Sequence, residues 1–326
     1  MSRVCIFFWE QTPPDRWFKG DCHWRAKVRR ALLGPDPIGG IKSVYFNLLE
    51  GLDRLGVDYV TNIPYRDIKP TDHVGVIGRG ITCLDGYKNK NPILAGVAVV
   101  GHPAEWPTLF EDYPVANYVV HCDWVKMMYE RHYGPRISKW AVGIDTDKWP
   151  PAPASHKTID FLIYDKVMWD HDRVHRAMVE PICATLTRQG LSYEIIRYGF
   201  YRPERYHAAL SRARAMLFLC EHETQGLAYQ EAMSCGLPIL AWDPQAWLDP
   251  WRFRYGETYV PATSVPFFDE RCGCKFLGVA DFSEALGSFW ELVQAGFYRP
   301  REYILDNLTL AIGARRYLAC LDEING

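Results

Sequence analysis

Two glutamates with seven residues between them, Glu223 and Glu231, frame the run Glu223-Thr-Gln-Gly-Leu-Ala-Tyr-Gln-Glu231, just after the apolar stretch 216–219. The apolar stretch reads as a strand and the run as a helix opening at 224–226, with Gly236 closing it and Pro238 starting the next strand. At about 100° per residue, positions 223 and 231 lie roughly 80° apart around a helix, so both carboxylates face the same side. The free N–H groups and positive dipole end of such a helix favour an anion beyond the strand, a diphosphate for example. The chemistry that suits this set is binding of an anionic ligand in a cleft that both carboxylates face.

Strand-like runs alternate with longer helical patterns, which argues for parallel sheets covered by helices. Strands are expected at 4–8, 59–62, 73–77, 93–100 and 118–121, with helices at 40–55 and 123–133. The rhythm then restarts, with strands at 158–164, 193–198, 215–219, 238–241 and 257–260 and helices at 172–189, 202–212 and 226–234. Between the halves lies Lys148-Trp-Pro-Pro-Ala-Pro-Ala-Ser155, too rich in proline for a helix or central strand. The expected division is 1–150, 151–298 and a C-terminal part, 299–326, that packs back on the first domain. The tail adds helices at 281–295 and 300–323.

The run from Glu223 to Glu231, continued by Ala-Met-Ser-Cys-Gly236-Leu-Pro238, resembles the signature of the retaining nucleotide-sugar glycosyltransferases of family four. That resemblance implies the GT-B fold, an α/β architecture of two Rossmann-like parallel-sheet domains facing a cleft. It covers most of the chain, tightly over 214–241 and loosely elsewhere. Pro37-Ile-Gly39-Gly40 resembles the family's N-terminal glycine loop, and Val142-Gly-Ile-Asp145-Thr-Asp147 its interdomain segment.

The resemblance implies transfer of a sugar from a nucleoside-diphosphate sugar to an acceptor hydroxyl with retention of configuration. Glu223 would contact sugar hydroxyls near the reacting centre and Glu231 the ribose. The backbone at Gly39, Gly40, Gln225, Gly226 and Leu227, together with Lys166, would hold the diphosphate. His102 matches by position a histidine that contacts the donor sugar, and Phe200 and Tyr201 lie by position near the base, although both also suit a core. The family commonly places an arginine and then a lysine after the first strand of the second domain. Here Lys166 falls near the former and His171 near the latter, and one strand replaces the usual two before Gly199. Two alternatives stay open: another GT-B enzyme, such as a sugar-nucleotide epimerase or a phosphorylase, or a catalytically poor sugar-nucleotide-binding subunit of a glycosylation complex.

No cofactor is expected beyond the donor substrate, and no metal, because Asp145-Thr-Asp147 belongs to the interdomain match. The chain has 326 residues, 48% of them hydrophobic, and a formal charge of −2, which gives no reason to expect nucleic-acid binding. Ten cysteines are too dilute for a disulfide scaffold, Cys272-Gly-Cys274 reads as structural, and neither a secretion signal nor a membrane span stands out, so the expected compartment is the cytoplasm. The stretch 10–36 is long for a loop. Within it, 15–30 holds six basic and two acidic residues interleaved with Trp17, Phe18 and Trp24. A solvated loop with core-anchoring aromatics is one reading. The other is an acceptor-side lid for a glycan, lipid-linked or small-molecule acceptor, with peripheral contact at the inner face of a membrane.

Overall fold

The computed structural model describes residues 2–10, 15–33, 39–78 and 80–326. In chain order its principal elements are β1 (Val4–Trp9), α1 (Asp21–Leu33), α2 (Gly40–Arg54), β2 (Tyr59–Thr61), β3 (His73–Gly78), β4 (Ile93–Ala95), α3 (Leu109–Asp112), β5 (Val115–Val120), α4 (Asp123–Tyr133) and β6 (Ile137–Lys139). There follow β7 (Ile159–Lys166), α5 (His171–Val174), α6 (Glu180–Arg188), β8 (Tyr193–Arg197), α7 (Pro203–Arg212), β9 (Ala213–Cys220), α8 (Leu227–Ser234), β10 (Ile239–Trp242), β11 (Gly273–Phe276), α9 (Val279–Gln294), α10 (Pro300–Asn307) and α11 (Leu310–Asn325).

Two compact units emerge. One comprises 1–120, 129–140 and 314–326, and the other 121–128 and 141–313. The first carries a six-stranded sheet in the order β2-β1-β3-β4-β5-β6 and the second a five-stranded sheet in the order β11-β10-β9-β7-β8. Every pairing within them is parallel. Such strands are covered on both faces, which explains why β1 and β9 read as nearly continuous apolar runs rather than alternating ones.

Alternation along β7 sorts the second unit into two cores. Leu162 and Tyr164 pack with Phe218, Tyr229 and Met233 on one face of the sheet. Phe161 and Ile163 pack with Met178, Val179, Phe282 and Phe289 on the other. In the first unit the helix α11 presents Tyr317, fully buried, to Trp140, with ring centroids 4.7 Å apart.

Four expectations need correction. The strand expected over 93–100 stops at Ala95, because Gly96 turns the chain at φ 101° where any Cβ would lie 2.1 Å from the Val119 carbonyl oxygen. The strand expected at 257–260 is absent, and Gly273–Phe276 takes the edge beside β10 instead. The tail helix is two helices, α10 and α11, interrupted where Thr309 bridges to Ile144. The stretch 10–36 is not simply a loop, since α1 occupies Asp21–Leu33, whereas 11–14 and 34–36 lie outside the described residues.

Candidate active site

In the second unit β7 and β9 are neighbours, and their register sets Lys166 beside Cys220, so the loop that follows β9 begins alongside Lys166. That loop delivers Glu223, whose Oε1 forms an ion pair with Lys166 Nζ; the side chains are 20% and 11% exposed for the lysine and the glutamate, respectively. Burial works against the Lys166 ammonium, but the Glu223 carboxylate outweighs it and raises the pKa. The Tyr198 ring lies 4.8 Å from the ammonium and adds a cation–π contact. The Glu223 backbone is held at both polar groups: its N–H donates to the Thr263 carbonyl at 3.0 Å, and its carbonyl accepts from Trp124 Nε1 at 2.8 Å.

Helix α8 starts at Leu227, just past the expected opening at 224–226, after a left-handed turn at Gly226 (φ 77°). A Cβ on Gly226 would sit 2.0 Å from Cε1 of the fully buried Tyr229, so glycine is required on two counts. Gln225 is buried and its side chain is committed: Oε1 accepts from Val142 N–H at 3.1 Å, while Nε2 donates to the Val142 carbonyl and to Gln230 Oε1. It therefore braces Val142, the start of the interdomain match, against the helix; its carbonyl accepts from Gln230 Nε2, which leaves the backbone N–H as the group it can offer a ligand. Leu227 opens α8 and packs on the core.

Glu231, further along α8, is only partly exposed, and burial pushes its carboxyl up to about 8, with Lys148 opposing the shift. Its field raises the Tyr164, Tyr201 and Tyr206 hydroxyls, on which burial is the larger influence, and so places the carboxyl near all three. Tyr201 donates to or accepts from Tyr164 across 2.8 Å between hydroxyl oxygens, and it packs against the core. Phe200 instead projects outward, 72% exposed, beneath the Arg197 guanidinium at 4.5 Å. Lys166, Glu223, Tyr201 and Glu231 thus belong to one face of the sheet. His171 does not join them. Its Nε2 bonds Asp165 Oδ2 at 2.7 Å, and Asp165 points to the opposite face.

Several contributors escape sequence reasoning. Tyr164, Tyr198, Trp124 and Thr263 come from four separate segments, so no local pattern marks them. Glu221 is 3% exposed, and its carboxylate accepts the N–H groups of Met168 and Trp169, fixing the turn after β7. A buried acid one position from a strand end is a signal in retrospect.

In the first unit, Gly39 caps α2 and Gly40 begins it, and a Cβ at either would meet nothing within 4 Å. The N-cap glycine has no side chain to cap the helix start. Pro37 and Ile38 lie outside the described residues. His102 is 0% exposed, and its Nδ1 accepts the Ala104 N–H at 3.1 Å in a local turn.

The segment 15–28 is built on two aspartates. Asp15 accepts from Gly20 and Cys22 N–H, and Asp21 from Arg16 and Trp17 N–H. These bonds leave Trp17, Phe18 and Trp24 exposed by 75%, 62% and 68%, so the reading of core-anchoring aromatics is wrong. The side chains of Arg29 and Arg30 lie outside the described residues.

No family model matches the sequence, and neither does any curated protein. Solved structures do resemble the chain. The apo form of the lipopolysaccharide outer core galactosyltransferase WaaB aligns with a TM-score of 0.56 at 10% identity over 98% of this chain and 99% of that one. The fold is that of the GT-B glycosyltransferases. Among other GT-B structures, sucrose-phosphate synthase from Thermosynechococcus elongatus aligns at 0.51 and 12% identity over 99% of both chains. A point mutant of TarM from S. aureus, in complex with Fondaparinux, alpha-GlcNAc-glycerol and UDP, aligns at 0.56 and 11% identity over 86% of this chain and 59% of that one.

Proposed function

We propose that the chain is a retaining, metal-independent glycosyltransferase that moves a sugar from a nucleoside-diphosphate sugar to an acceptor hydroxyl. The observation that carries this reading is the convergence of Lys166, Glu223 and Glu231 on one face of the second sheet, at the carboxyl ends of β7 and β9. Ligands of open parallel sheets bind beyond such strand ends. Lys166 offers a positive charge to the departing diphosphate, and the start of α8 adds oriented N–H groups. On donor binding the ammonium is shared between Glu223 and phosphate. That frees a Glu223 carboxylate oxygen for a sugar hydroxyl. A Glu231 carboxyl that keeps its proton near neutral pH can both donate and accept, which suits a pair of ribose hydroxyls.

In this reading Gly39 and Gly40 approach the donor phosphates, His102 serves the donor sugar, and Phe200 and Tyr201 lie toward the base. The exposed Trp17, Phe18 and Trp24 among basic residues serve the acceptor side, for a glycan, lipid-linked or small-molecule acceptor at an anionic cytoplasmic membrane face. Among the described residues, no helix is long and apolar enough to cross a membrane. A second reading, a donor-binding subunit of low activity, draws support from His171, because its bond to Asp165 removes the second phosphate cation that the family resemblance implies.

The deciding experiment incubates the protein with a panel of nucleoside-diphosphate sugars and acceptors. Release of nucleoside diphosphate that is lost in Glu223→Ala, Glu231→Ala and Lys166→Ala supports transfer. Wild-type rates in all three variants refute it, and binding without turnover favours the subunit. A chelator such as EDTA, added to the same assay, should leave the rate within a factor of about two, because Lys166 and helix N–H groups carry the charge stabilisation. Abolished turnover that returns with a divalent cation would contradict metal independence.

A further inference from the structure

The Asp165–His171 pair belongs to a cluster that the transferase reading does not use. Successive residues of a strand point to opposite faces. Tyr164 and Lys166 therefore share the Glu223 face, whereas Ile163 and Asp165 point toward Met178 and Val179. In β8, Ile196 packs on the Glu223 side and Ile195 on the other, which sends Arg197 to the Asp165 side. There His171, Asp172, His175, Arg176 and Arg197 line a concavity of about 350 Å³. None of Lys166, Glu223, Tyr201 or Glu231 lines it.

The cations of this concavity are underused. Arg176 Nε donates to the Asp172 carbonyl at 3.2 Å, and Arg197 lies over the Phe200 ring; among the described residues neither guanidinium is in an ion pair. The Asp165 bond orients the His171 ring, and His171 Nδ1 is then buried with no hydrogen-bond partner. A buried polar atom left this way is costly unless a ligand or water completes it. The carboxylates nearby lie against imidazoles or Arg173 and not against either guanidinium. Asp165 faces His171 Nε2, Asp172 Oδ1 is 3.8 Å from His171 Nδ1 on a side chain that is 95% exposed, and Glu180 Oε1 is 3.4 Å from His175 Nδ1. A π-helical turn, His175–Val179, follows α5 and supplies His175 and Arg176 to the rim.

We propose that this concavity is a second anion site, which takes a phosphoryl group on the face of the sheet opposite Lys166, Glu223 and Glu231; of its lining residues Arg197 touches Phe200, and Arg176 does not. Two guanidiniums offer planar, paired donors that match phosphate oxygens, and His171 Nδ1, the acceptor nitrogen of a ring whose Nε2–H donates to Asp165, can receive the P–OH hydrogen of a singly protonated phosphate. The ligand class is a phosphate monoester or inorganic phosphate. The site stands on its own geometry and does not depend on the transferase reading.

The test titrates the full chain, by calorimetry, with inorganic phosphate, with a hexose phosphate and, separately, with uridine and guanosine diphosphates. Saturable phosphate binding is expected, weakened about tenfold or more in Arg176→Ala/Arg197→Ala. Arg173→Ala, on the same helix but ion-paired to Asp170, should match wild type. Arg197→Lys should fall between, because it keeps the charge without the planar fork. Tighter binding of the hexose phosphate than of phosphate identifies a phosphorylated small molecule, and equal binding identifies free phosphate.

The proposal is overturned if neither phosphate binds, if the double variant binds as wild type does, or if Arg176→Ala alone, away from Phe200, loses nucleoside-diphosphate affinity in step with phosphate affinity. A wild-type chain that binds phosphate and no nucleoside diphosphate would count against the transferase reading and leave this site standing.

Discussion

The Lys166 ammonium and the Glu223 carboxylate, 57 residues apart in the chain, meet in an ion pair at the carboxyl ends of β7 and β9. Because both groups are largely withdrawn from water, removing one leaves the other without its partner. Lys166→Met or Glu223→Gln should each cost about 1–3 kcal/mol of stability, and the double variant should recover part of the loss. Donor turnover should fall roughly 100-fold in either single variant and stay low in the double. Chemical denaturation together with kcat/KM separates the two effects, and restored turnover in the double variant would sink the proposed roles.

Glu231 supplies a pH signature. Burial raises its carboxyl from 4.5 to about 8, so the folded state holds this proton more tightly than the unfolded chain does. The contribution of this group to stability is therefore complete below about pH 4.5 and is lost as pH climbs to about 8. Glu231→Gln, which cannot ionise, should be more stable than wild type at pH 9 by on the order of 1 kcal/mol or more and should show a flatter stability profile between pH 5 and 9. Thermal unfolding across that range measures it; parallel profiles would refute the shift.

Gly226 makes the turn that separates Glu223 from α8. Gly226→Ala should destabilise the protein by about 1–3 kcal/mol, through the left-handed backbone and the clash with Tyr229. Donor affinity should fall with it, because the same turn aims the helix start. A melting temperature equal to wild type would contradict the geometry.

Trp124 is a positioning residue, since it touches the Glu223 carbonyl rather than its carboxylate. Trp124→Phe keeps an aromatic ring and removes the donor, so stability should drop by about 1 kcal/mol while kcat falls more than the donor KM changes. Unchanged kcat would leave Trp124 with a packing role alone.

The exposed aromatic face at Trp17, Phe18 and Trp24 offers a test on the acceptor side. Replacing all three by Ser should raise the acceptor KM severalfold and reduce binding to anionic vesicles while leaving donor affinity unchanged. Co-sedimentation and two-substrate kinetics report on it, and an unchanged acceptor KM would remove the segment from the site.

Local order is what the sequence by itself determined. The apolar runs of β1, β7 and β9 and the Glu223 to Glu231 turn-and-helix are legible because periodicity, glycine and proline act over a few residues. Competition between distant segments is what the tertiary structure decided. Glu-Thr-Tyr-Val at 257–260 has the better strand composition, yet Gly273–Phe276 pairs with β10, because Phe276 packs on Phe282 in the core while Tyr259 stays 62% exposed. Edge-strand choice follows buried partners more than intrinsic preference. Likewise Lys166 and His171, five residues apart, suggest a phosphate pair on paper. Strand alternation sends Lys166 to Glu223 on one face, and Asp165 draws His171 to the other. Lys166 remains for the proposed donor, and His171 lines the concavity on the other face.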